Sequence, residues 1–259
     1  MKKIIYIYIL MFFACDPGWL GLEEEIGIYS YHDGLALAWE SYFDGNNYDI
    51  AIAYVNSTIN ETEDEEYYNS AYTSLGWLYL FKSNIFAGNN SDSLTYYRDS
   101  AFQQLSYIEN EELAIIEYDT GCYYDFCCSD CFAKDRQLGL LYTQIENYFV
   151  SSNEQRDNVD IQTLINELAS FVLENPEYNF MDGKPTGDNG QILDLSIDNV
   201  KIYLAHVYFR MGQFIDSCYI LSSLDGYKDL CIDLECSIDW DNTNLEDLLD
   251  CINNIQPLF

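Results

Sequence analysis

Four cysteines crowd into Cys122-x4-Cys127-Cys128-x2-Cys131, and thiolates at that density could hold zinc or run a redox CxxC. Structural zinc usually draws paired CxxC knuckles from separated segments, whereas these four fall within ten residues. A redox CxxC needs a strand–helix context that the flanking residues do not offer. Local disulfides are the expectation. Four more cysteines, Cys218, Cys231, Cys236 and Cys251, form a second cluster. An even set of eight reads as disulfides paired mostly within each cluster, with connectivity open.

Asp239-x-Asp241-x-Thr243-x3-Asp247-x2-Asp250 partly copies the spacing of a calcium loop. Asn244 replaces the glycine of that loop, and Asp250 the terminal glutamate. The simpler reading is Thr243-x2-Glu246 as a capping box, opening a helix with Leu245, Leu248 and Leu249 inward. Asp182 to Gly190 has the composition of a surface loop. Two histidines leave little for acid–base chemistry near neutrality. His206 reads as a packing or groove residue, and Asp33 as the N-cap of the first helix. No nucleophile elbow, phosphate loop, dinucleotide fingerprint or zinc-protease helix is present. The chain reads as non-catalytic, with no cofactor and no metal.

The elements that position these residues are helical. The chain has 259 residues, 11 Lys+Arg against 44 Asp+Glu, and a net charge of −33, yet 49% of it is hydrophobic. That apolar share fills a core and argues against disorder. The charge repels phosphate backbones and anionic headgroups, so nucleic acid and polybasic membrane docking are excluded as partners. Neutral or basic partners remain.

Lys2 and Lys3 precede an apolar run from Ile4 to Ala14, too short to span a bilayer, and Asp16-Pro17-Gly18 ends it. The order is that of a secretory signal. Leu10-Met11-Phe12-Phe13-Ala14-Cys15 resembles a bacterial lipobox. The resemblance implies removal of residues 1–14, diacylation of Cys15, and a tether over 15–33 in the bacterial cell envelope, periplasmic or outer-surface. The membrane is then reached only through the lipid.

From Gly34 the apolar residues fall at helical spacing: Leu35, Ala38, Trp39 and Tyr42, then Tyr48, Ala51, Ile52 and Val55 after Asp44-Gly45-Asn46-Asn47. Trp39-x2-Tyr42-x2-Gly45-x2-Tyr48-x2-Ala51 resembles a tetratricopeptide repeat. Tyr72-x2-Leu75-Gly76-x2-Tyr79 keeps that spacing on its first helix, with a swollen turn from Lys82 to Tyr97 and a second helix from Asp99. Leu204-Ala205-x2-Tyr208-x3-Gly212-x-Phe214-x2-Ser217 is the third match. Helices at about 137–150 and 160–173 make a degenerate pair, and a last helix covers 245–255.

The resemblance covers 35–60, 68–109 and 198–224 within a domain spanning 34–259. It implies an all-α, right-handed solenoid of helical hairpins with Cys-rich loops. Function follows as an envelope scaffold or adaptor that grips a protein or peptide. Trp39, Tyr42, Tyr72, Tyr79, Tyr203 and Tyr208 are the groove candidates, each competing with a role in packing. The alternative is a glycan- or solute-binding lipoprotein, since tyrosine stacks on sugars equally well. Palmitate labelling in a bacterial host should mark the wild type and vanish in Cys15→Ser; labelling that persists removes the anchor.

Overall fold

The computed structural model describes residues 31–61, 68–86, 91–107, 129–151, 156, 159–182, 184, 195–224, 236 and 242–255. Among them the fold is all-α, with no strand and one isolated bridge, Asn179 to Ser196. The helices are α1 Tyr31–Gly45, α2 Tyr48–Glu61, α3 Tyr68–Asn84, α4 Ser91–Ser106 and α5 Ser129–Val150. Then come α6 Ile161–Glu174, α7 Ile197–Arg210, α8 Phe214–Ser222 and α9 Asn242–Asn254. Each packs on its chain neighbour, and α3 also packs on α5. The signal segment, Cys15 and most of the tether lie outside the described residues.

Short turns force the hairpins. Between α1 and α2, Asn46 takes φ 51°, a left-handed conformation its short polar side chain tolerates, and its N–H returns to Tyr42 O at 2.8 Å. Gly212, at φ 75°, turns α7 into α8. Small residues then set how closely the partners approach. A Cβ on Gly34 would sit 2.1 Å from Thr58 Oγ1. Ser217 is fully buried and donates to Ala205 O at 2.8 Å, satisfying its hydroxyl inside the α7–α8 seam.

Helix α3 is buried almost all round, which makes it the central element. Leu105 of α4 is wedged between two glycines: a Cβ on Gly76 of α3 would meet its Cγ at 2.5 Å, and one on Gly139 of α5 its Cδ1 at 2.9 Å. Three helices therefore meet at one leucine. A smaller core joins Ile202 and Ala205 of α7, Cys218 and Leu221 of α8, and Leu248, Cys251 and Ile252 of α9.

Several sequence boundaries move. Helix α1 begins at Tyr31, so the backbone of Asp33 lies in its first turn rather than at its cap. Helix α4 begins at Ser91, eight residues before Asp99, because Asp92 and Ser93 start a helix as readily as they make a loop. Helix α5 begins at Ser129 and takes in the backbone of Cys131. Helix α9 begins at Asn242, placing Thr243 inside the helix and not at its cap. Leu248 there is buried, whereas Leu249 is exposed. Helix α6 is capped by Asp160, which accepts from Thr163 N at 3.2 Å and Thr163 Oγ1 at 2.8 Å.

Of the Asp182–Gly190 run only Asp182 and Lys184 are described; Asp182 is exposed, as expected of a surface loop, and Lys184 is not. Lys184, within a run with surface-loop composition, is buried, and so are Tyr178, Phe180 and Met181 just before it. Gly76→Ala should destabilise the fold by about 1–3 kcal/mol through overpacking against Leu105. Urea unfolding of Gly76→Ala with Leu105→Ala should cost less than the two single changes added.

Candidate functional site

The six groove candidates divide by burial. Trp39 and Tyr203 are 0% and 2% exposed, and Tyr42 is 6% exposed, so none has a free face to offer a partner. Trp39 stacks on Phe43 and donates Nε1–H to Ser74 Oγ at 3.3 Å, tying α1 to α3. Tyr42 stacks on Phe81 at 5.2 Å, and burial, then its neighbour Tyr48, drives its phenol far above the ordinary range. Tyr203 donates to Glu146 Oε1 at 3.2 Å. These three are packing residues, enclosed by side chains of other elements. Tyr72, Tyr79 and Tyr208 are half-buried. Tyr72 lies 4.0 Å from Tyr107, and burial followed by Asp216 raises the Tyr208 phenol.

Tyr79 belongs to an aromatic surface the sequence motifs did not single out. Its ring stacks on Tyr97 of α4 at 6.2 Å, Phe86 stacks on the same ring at 5.4 Å, and Tyr96 meets it edge-on at 5.1 Å. Tyr96 is 63% exposed. Lys82 Nζ lies 4.6 Å from the Tyr97 centroid and pairs with Asp49 of α2, whose carboxylate leads the ties that hold the ammonium up against burial's opposing pull. The surface therefore already holds one cation between an aromatic face and a carboxylate. The Tyr96-Tyr97 pair was visible in the sequence, but an expected turn there concealed that it lies on a helix facing Tyr79.

Two polar groups lie deeper. On α5, Glu146 meets Arg210 of α7 at 2.6 Å and Arg98 of α4 at 3.7 Å, while Arg210 lies over Phe149 at 3.5 Å. The second is a closed cage. Lys184 Nζ pairs with Asp135 Oδ2, both side chains 1% exposed, and donates to Phe180 O at 2.6 Å. Tyr178 OH donates to Asp135 Oδ1 at 2.6 Å, and Trp77 Nε1–H to the Asp135 carbonyl at 2.9 Å. Burial pushes the Asp135 carboxyl up and the Lys184 ammonium down, each opposed by the other's charge. The available signal was Asp135 sharing a helical stripe with Leu138 and Tyr142, since an acid on an apolar face needs an inner partner.

No family profile, curated protein or solved structure matches this chain. Among the described residues, no group of three or more His, Cys, Asp and Glu could hold a metal ion, and no helix is long and apolar enough to cross a membrane. Cys218 of α8 is bonded to Cys236 with Cα atoms 5.6 Å apart, so the second cluster does pair internally. Cys251 is also in a disulfide. Cys218 and Cys251 are thus helical, not loop, residues. Cys122, Cys127, Cys128 and Cys231 lie outside the described residues, as do Asp239 and Asp241 of the calcium-like spacing.

His206 of α7 sits 2.6 Å from Ile255 O at the end of α9. A carbonyl only accepts, so the ring donates Nε2–H. Burial lowers the imidazole below its ordinary 6.5, the Ile255 carbonyl opposes that, and Arg210 adds to it. The folded state therefore holds fewer protons than the unfolded one between the lowered value and 6.5. This contribution is complete above 6.5 and is lost as pH falls through the lowered value. The melting temperature should fall more steeply with acid in the wild type than in His206→Gln, which keeps a donor without a titrating ring.

Proposed function

We propose that this chain is a lipid-anchored protein of the bacterial envelope, built of tetratricopeptide-like hairpins, that acts as a non-catalytic adaptor for a protein partner. Three ties support the repeat reading because they join the first helices of successive hairpins. Trp39 reaches Ser74 from α1 to α3, Trp77 reaches Asp135 from α3 to α5, and Tyr203 reaches Glu146 from α7 to α5.

The observation that carries the binding role is the tyrosine group of α3 and α4, half-buried at Tyr79 and Tyr97 and exposed at Tyr96. Tyr79, Phe86 and Tyr97 form a stacked base, and Tyr96 stands free above it. Rigid amphipathic rings of this kind give large contact area at small entropic cost, and they anchor interfaces. A net charge of −33 selects a neutral or basic partner. The bound Lys82 is an internal example of the contact a partner's lysine or arginine would make.

Crosslinking and pull-down from native membranes test this with full-length protein, wild type against Tyr96→Ala/Tyr97→Ala. The wild type should recover a protein partner, and the double variant should bind it at least tenfold more weakly, about 1.4 kcal/mol. Recovery of no partner sinks the adaptor reading. Stacked tyrosines also suit a sugar ring. Saturable glycan binding lost in Tyr97→Ala would replace the adaptor with a glycan-binding lipoprotein.

A further inference from the structure

We propose that Lys184 and Asp135 condense into an intramolecular isopeptide bond, Nζ to Cγ, inside the aromatic cage between α5 and the segment that follows α6. The two groups are in direct contact and sealed from water, each 1% exposed. Phe180, Phe132 and Trp39 rings stand 3.9, 5.2 and 5.6 Å from Nζ. Fixed contact makes the reaction effectively unimolecular, and a dry site suppresses the reverse hydrolysis.

The step begins with a proton transfer. Burial pushes the Asp135 carboxyl up and the Lys184 ammonium down, which eases passage of one proton from Nζ to Oδ2 across the contact and leaves an amine facing a carboxylic acid. The Nζ lone pair attacks Cγ and forms the C–N bond. The C–Oδ2 bond breaks, and the departing hydroxyl takes one amine proton to leave as water. Nothing is oxidised or reduced, and no co-reactant enters. Charge developing on Oδ1 meets the Tyr178 hydroxyl, already 2.6 Å away.

The cage also fits the product. An amide has one N–H and one carbonyl oxygen, and each has a partner in place: Phe180 O for the N–H and Tyr178 OH for the oxygen. An ammonium brings three donors to two oxygens and ring faces. Lys82 and Asp49 provide an internal contrast. They form the same kind of pair, but Asp49 is 85% exposed, water competes at the carboxylate, and the pair stays ionic.

Mass spectrometry of the full chain, reduced so that disulfides do not contribute, decides the matter. The chain should be one water lighter than the mass calculated for the same N-terminally processed form, and proteolysis should yield one branched peptide holding both Asp135 and Lys184. Separate, unmodified peptides overturn the proposal. A water loss that maps to Lys82–Asp49, or within a single peptide, also overturns it. Lys184→Met should restore the full mass; because that variant is open to misfolding, the wild-type peptide map stands as the deciding measurement. Tyr178 is a positioning residue. In Tyr178→Phe, the linked fraction of soluble folded protein should fall while the Cys218–Cys236 disulfide persists, and an unchanged fraction removes that role.

Discussion

Burying Lys184 against Asp135 is the constraint around which the rest of the fold is arranged. Taking an ammonium and a carboxylate out of water costs several kcal/mol per ion, and mutual attraction offsets it only when every remaining lone pair and proton has a partner. The partners come from everywhere. Helix α1 supplies Trp39, α3 supplies Trp77, α5 supplies Phe132 and Asp135 itself, and the segment after α6 supplies Tyr178 and Phe180. Phe180 then touches Trp39, Trp77 and Phe81 together. A loop thereby fills the gap among three first helices that small seam residues alone would leave open.

Local features were legible in the sequence, and features that depend on distant partners were not. Gly76, a residue without a side chain at a helical position, marks in the sequence where a neighbouring helix can pack tightly, and the structure puts Leu105 there. Ser217 and Ala205 stand where the repeat pattern wants small residues, and they face each other. The Asn46 and Gly212 turns follow from backbone chemistry alone. The fate of the aromatics was less accessible, because periodicity locates a face without saying whether one layer or two will cover it. Trp39 and Tyr203 are enclosed, while Tyr96, at a position read as a turn, is an exposed ring. Lys184 was unreadable for a different reason. Its neighbours have loop composition, and only Asp135, on another helix, gives it a reason to go inside.

The basic residues explain the surface. Of 11 Lys and Arg, Lys82, Arg98, Lys184, Lys201 and Arg210 pair with carboxylates within the fold. Arg136 and Arg156 donate to backbone carbonyls instead, Leu105 O and the Tyr148 and Phe149 oxygens. Apart from Lys201, paired within α7, and Arg156, which closes the end of α5, these cations join one element to another. What faces solvent is correspondingly acidic, and an approaching partner meets carboxylates with few cations between them.

Phe180 has a consequence for the order in which the molecule is made. A stack of helical hairpins ordinarily completes itself unit by unit, each repeat needing only its neighbour. Here Trp39, in the first hairpin, waits for a ring and an ammonium that arrive only after the sixth helix. During synthesis the early helices stay unfinished, with an apolar face still open, until that late segment emerges.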